Sequence, residues 1–132
     1  MTQFEAYTEI NAGLRTYLLN CPQVSAIIGT KLFYPFVPSD MNQNEKAPHA
    51  SFRRAGGVAG EYRYLFTIRA QDGATLEQLR RAMLHALLES TISLPNDENV
   101  VFARSEESYD NVDENTGMIE SYFYVTIELL EA

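Results

Sequence analysis

The stretch Glu61-Tyr-Arg-Tyr-Leu-Phe-Thr-Ile-Arg-Ala-Gln71, then Asp72-Gly73, then Thr75-Leu-Glu-Gln-Leu-Arg-Arg-Ala-Met-Leu-His-Ala-Leu-Leu-Glu89, decides the fold. In its first part Tyr62, Tyr64, Phe66, Ile68 and Ala70 alternate with Arg63, Leu65, Thr67, Arg69 and Gln71. Side chains two apart share one face of a strand, so this is the period of a strand with one buried side. After Asp72-Gly73 the period changes. Leu76, Leu79, Met83 and Leu87 recur at three- and four-residue spacing, with Gln78, Arg81 and His85 opposite. That predicts an amphipathic helix, opened by Thr75 with Gln78 completing a Thr-x-x-Gln capping box.

Toward the N-terminus, Tyr7, Ile10, Leu14, Tyr17 and Leu18 predict a helix over 4–19. Pro22 to Gly29 reads as a short helix, since proline suits a first helical position and glycine a stop. Residues 32–34 read as a strand ended by Pro35, 36–46 as a loop, and 50–54 as a strand entered after Pro48. The glycines of 55–60 read as a turn. Toward the C-terminus, 95–99 reads as a turn, 99–105 as a strand, 106–117 as an acidic loop, and 118–130 as the longest strand. On that last strand Ile119, Phe123, Val125, Ile127 and Leu129 oppose Tyr122, Tyr124, Thr126 and Glu128. The last two strands are expected to pair as a hairpin, with helix 75–89 as the crossover leading to it. The expected architecture is α+β: one domain over 1–132, a mostly antiparallel sheet of four to five strands, and two main helices packed on one face.

Charge is uneven. The chain carries a net −8; 1–66 holds five acids and six bases (+1), and 67–132 thirteen acids and four bases (−9). Phosphate affinity needs clustered Lys and Arg, so such a chain is poorly suited to gripping nucleic acid. No 18-residue apolar run predicts a membrane span, and Met1-Thr-Gln-Phe-Glu5 does not read as a signal peptide. Cys21 is the sole cysteine, which rules out an intramolecular disulfide and a cysteine metal cluster.

Candidate chemistry is sparse. The only histidines, His49 and His85, have no nucleophile and acid at triad spacing, so each reads as structural or solvated. The acids of 106–114 lack the alternating ligands and central glycine of a calcium loop. Gly56-Gly57-x-x-Gly60 lacks the Gly-Lys-Ser/Thr ending of a phosphate loop and precedes a strand. Two features point instead to protein contacts. Phe36, Val37 and Met41 are apolar residues on a polar loop, and Tyr122 and Tyr124 lie on the side of the last strand away from its aliphatic residues.

The whole chain resembles the tail completion and tail terminator proteins of tailed bacteriophages. The resemblance is carried by Leu18-Leu19-Asn20-Cys21, Pro22 to Gly29 with its Ile27-Ile28-Gly29 stop, Lys31-Leu32-Phe33-Tyr34-Pro35, Pro38, and Ala47-Pro48 entering a strand. The helix with Leu79, Arg80, Met83 and Leu87 and the strand from Glu120 to Glu128 continue it. His49-Ala50, where the family more often has bulkier residues, and the eleven-residue loop 36–46 depart from it. The resemblance implies a ring-forming subunit, commonly a hexamer, at the head-proximal end of the tail tube. Its partners would be its own copies, the tail tube protein and the head completion or connector protein. It implies a virion location at the tail–neck junction after assembly in the host cytoplasm, with no reaction, no cofactor and no metal. In such a ring Glu106, Glu107, Asp110, Asp113 and Glu114 would line the lumen or rim and let DNA pass without specific binding. The alternative is a small enzyme or a ligand- or metal-binding domain using the acidic 106–114 segment with His49.

Overall fold

In a computed structural model of the chain, residues 3–35, 47–56, 61–88, 91–93, 99–112 and 117–130 are described. The architecture is α+β. The helices are α1 (Gln3–Leu19), α2 (Pro22–Ile28) and α3 (Gly73–Leu88). The strands are β1 (Leu32–Phe33), β2 (His49–Arg54), β3 (Glu61–Ala70), β4 (Thr91–Ser93), β5 (Asn99–Val112) and β6 (Ile119–Leu130). They form one sheet in the order β1-β2-β3-β6-β5-β4. All neighbours are antiparallel except β1 and β2. Four long strands thus carry the sheet, and a short one extends each edge. α3 is the crossover between β3 and the outer strands.

The core lies between the helices and one face of the sheet. Tyr62, Tyr64, Phe66, Ile68 and Ala70 of β3, Ala50 and Phe52 of β2, and Phe123, Val125 and Ile127 of β6 are buried there. They meet Ile10, Leu14 and Leu18 of α1, Val24 and Ile28 of α2, and Leu76, Leu79, Met83 and Leu87 of α3. Both predicted stripes are therefore the buried ones. Register brings Phe52, Phe66 and Phe123 into one row across three strands. Their rings stack, with centroids 5.4 Å apart at both steps. Such pairs add about 0.5–1.5 kcal/mol beyond their area burial.

Polar contacts fix the helices on this face. The Tyr64 hydroxyl donates to Asn11 Oδ1 at 2.5 Å, and the Tyr17 hydroxyl to the Ala86 carbonyl at 2.9 Å. Arg80 donates to Ser121 Oγ through Nη2 at 2.6 Å, tying α3 to β6. Arg15 Nε donates to the Leu32 carbonyl at 3.2 Å. α2 stops as the sequence predicts: Gly29 takes φ +62° and its N–H closes the last turn on the Ser25 carbonyl at 2.8 Å. A positive φ costs glycine nothing and a Cβ-bearing residue about 1–2 kcal/mol.

Three expectations are corrected. The segment from Glu106 onward does not leave the sheet as a loop; β5 stays paired with β6 to Val112↔Ile119. Register shifts between Phe102/Arg104 and Glu106/Ser108 absorb the extra residues, as bulges do. α3 starts before Thr75. Asp72 is its cap, accepting the Thr75 N–H on Oδ1 at 2.8 Å and the Thr75 hydroxyl on Oδ2 at 2.9 Å. Those two bonds hold the Asp72 carboxyl below its ordinary pKa. A sixth strand, β4, was not foreseen; its three residues carry too little periodicity to read.

Phe66→Ala is expected to cost about 3–5 kcal/mol, because it empties the middle of the stacked row. Urea unfolding measures it; a loss under about 1 kcal/mol would show that the row does not organise the core.

Candidate functional site

The opposite face of the sheet is not covered by any helix among the described residues. Pleating puts His49, Ser51 and Arg53 of β2, Arg63, Leu65, Thr67 and Arg69 of β3, and Glu120, Tyr122, Tyr124 and Thr126 of β6 on that side. Antiparallel register aligns them in rows. His49, Arg69 and Glu120 form one, Ser51, Thr67 and Tyr122 the next, and Arg53, Leu65 and Tyr124 the third.

The first row is an electrostatic unit. Arg69 Nε lies 2.7 Å from Glu120 Oε1, and the Glu120 side chain is only 7% exposed. The Tyr122 hydroxyl donates to Glu120 Oε2. A buried carboxylate needs such partners, since an unpaired charge there is strongly unfavourable. His49 is 4% exposed, and its Nδ1 lies 3.1 Å from the Ala47 carbonyl. A carbonyl only accepts, so Nδ1 carries the proton of that bond. Burial pushes the His49 pKa down; the Ala47 bond opposes this, the Arg69 and Lys31 charges reinforce it, and Glu120 opposes it. Farther along, the Arg63 guanidinium sits 4.0 Å above the Tyr124 ring centroid, a cation–π contact.

Between these groups lies an open cleft of about 320 Å³. Leu65 lies in it, and Ser51, Thr67 and Tyr122 bring hydroxyls to it. Arg53, Arg69 and Pro35 complete the lining. Of these groups, the Arg69 guanidinium and the Tyr122 hydroxyl are already engaged by Glu120.

Of the expected contact residues, Tyr122 and Tyr124 lie half-buried on this open face. Phe36, Val37 and Met41 lie outside the described residues, as do Asp113 and Glu114. Glu106, Glu107 and Asp110 occupy β5, and the register opposes Glu106 to Tyr124. The row from His49 through Arg69 and Glu120 ends at Asn111. His49 is thus three strand spacings, roughly 14 Å, from β5, which weighs against a joint site of His49 with the acidic segment. Among the described residues no three His, Cys, Asp or Glu side chains are grouped to hold a metal. No described helix is long and apolar enough to cross a membrane. Sequence reasoning places Arg53 on the side toward a neighbouring subunit but missed Arg69 and Glu120 as site residues. Alternation places Arg69 opposite the core side, but only the cross-strand register brings Glu120 to it.

No protein-family model and no curated protein sequence matches the chain. Among solved structures, a chain from the virion of a native gene transfer agent particle is similar, with a TM-score of 0.68 at 14% identity. The similarity covers 96% of this chain and 98% of that one, so the two share a fold over nearly their whole lengths.

The depressed His49 pKa has a signed consequence. As pH falls, the unfolded chain binds the proton first, so the stability from keeping His49 neutral is complete above the ordinary histidine pKa. It is lost as pH falls from that value to the lower folded one. Unfolding midpoints in urea are expected to drop between about pH 7 and pH 5 in the natural chain, and His49→Gln should flatten that drop. An unchanged slope in the variant would contradict the assignment.

Proposed function

We propose that this chain is a structural subunit of a phage-type particle. In particular, it is a tail terminator or tail completion protein forming a six-fold ring at the head-proximal end of the tail tube. The ring stops tail polymerisation and offers its other surface to the head connector. The observation that carries this reading is the end-to-end fold similarity to a virion chain. The arrangement of the sheet supports it. One face is closed by helices; the other presents arginines, tyrosines and hydroxyls in a shallow cleft, a composition that suits protein contact. Phe36, Val37 and Met41, which lie outside the described residues, would add contact area. The net charge of −8 suits a ring through which DNA passes, since phosphates repelled by carboxylates slide without being held. Chemistry is not required of such a subunit.

Cryo-electron microscopy of particles that carry this chain tests the reading. A ring of it is expected between tube and head, and deletion of its gene should leave unjoined heads and tails of uncontrolled length. Normal particles without the chain, or its presence only elsewhere in them, would refute the proposal.

A further inference from the structure

His49 holds a titratable ring at a buried position, the first residue of β2, where it is 4% exposed. The neutral ring suits the site. Its Nδ1–H donates to the Ala47 carbonyl at 3.1 Å, so the neutral tautomer leaves Nε2 unprotonated. A proton on Nε2 would make a buried cation, which is strongly unfavourable without a free anion beside it.

Among the described residues the groups around the ring supply no such anion. Register sets Arg69 of β3 opposite His49. Lys31, just before β1, is held beside the start of β2, where its carbonyl accepts the Ala50 N–H at 3.0 Å. Glu120 of β6 follows in the same row, but it already pairs with Arg69 and accepts the Tyr122 hydroxyl. β1, and α2 which also packs on β2, carry no ionisable side chain. Burial first, and then the Arg69 and Lys31 charges, disfavour the proton; the Ala47 bond and Glu120 offset them only in part.

The strand pairing beside His49 is thin. β1 is paired only at Leu32↔Ala50 and Phe33↔Ser51, starting one residue after His49. β3, by contrast, is paired with β6 along its whole length and with β2 from Tyr64 to Arg69. Short segments with few pairings open locally, at lower free energy than the whole fold. Pro35 and Ser51 of this edge line the cleft, so the cleft is whole only while the edge is closed.

We infer that His49 is a proton-sensitive latch: its neutral ring holds the β1–β2 edge shut, and a second proton on it opens residues 31–35 and 49–51 while the rest of the sheet stays folded. Once the edge is open the ring meets water and titrates at its ordinary value of 6.5. A proton taken up only by the open form multiplies that form, by up to about 30-fold at about pH 5. The open fraction therefore rises as pH falls, and the cleft loses its Pro35 and Ser51 wall with it. The latch goes beyond the particle assignment and stands or falls apart from it.

Hydrogen exchange of the full chain at about pH 8 and about pH 5, corrected for the intrinsic rate at each pH, tests it. The amides of residues 32–34 and 49–51 are expected to exchange at least about tenfold faster than those of 64–68, without responding to about 1 M urea, as in a local opening. Their protection should fall by between about threefold and about 30-fold from the higher pH to the lower. His49→Gln, which cannot take the proton, should remove that fall. His85→Gln, at an exposed position of α3, should keep it. Should His49→Gln fail to fold by circular dichroism, NMR titration of the natural chain decides: the Ala50 and Ser51 amide shifts should follow the His49 imidazole with its midpoint and not that of His85. Edge amides that exchange with the core at one rate, protection that changes less than about threefold, a fall kept in folded His49→Gln, or amide shifts that ignore the His49 midpoint each overturn the inference.

Discussion

Everything in this fold is referred to one row of stacked rings, Phe52–Phe66–Phe123. The row crosses β2, β3 and β6 at a single register position, so it fixes three strands at once. Slipping any of them by one residue would turn its aromatic ring out of the core and bring a residue of the open face in. Above the row, α1 and α3 find an apolar surface for the stripes of Leu14 and Leu18 and of Leu79, Met83 and Leu87. The hydrogen bonds from Tyr64 to Asn11 and from Arg80 to Ser121 then set where each helix sits along the sheet. The directional bonds act on a geometry that the apolar contacts have already selected.

The same register builds the other face as a by-product. Once Phe66 faces the helices, Leu65, Thr67 and Arg69 must face away, and Glu120 and Tyr122 are carried beside them. Ionic and hydroxyl contacts tie this layer together: Arg69 to Glu120, Tyr122 to Glu120, Arg63 over Tyr124. A solvated sheet face would suit short polar residues; this one carries large aromatic and guanidinium groups around a cleft. Large, pre-ordered side chains lose little entropy on binding, which suits a surface that meets another protein.

Much of the fold was legible because short-range patterns report it. The period-2 alternation of Tyr62 to Ala70 and the helical spacing of Leu76 to Leu87 each name a buried side. Pro22 and Gly29 bracket α2 by backbone chemistry alone. What was not legible depends on partners distant in sequence. Glu106 and Asp110 have weak strand propensity and read as a loop, yet β6 supplies partners in Tyr124 and Ser121 that hold them in a strand, with Glu107 at the register shift between. Asp72 and Thr75 are both capping residue types; Asp72 wins because β3 ends at Ala70 and leaves it at the turn. The candidate site suffers most. Tyr122 and Tyr124 were found by parity, whereas the grouping of Arg53, Arg69 and Glu120 exists only through register.

The central claim is that one face of the sheet is spent on the core and the other is the face that assembles. Hydroxyl-radical footprinting of the free and the assembled chain tests it most directly. The account predicts that Tyr122 and Tyr124 are labelled in the free chain and protected on assembly, while labelling of His85, exposed on α3, does not change. Protection of His85 with continued labelling of both tyrosines would contradict it.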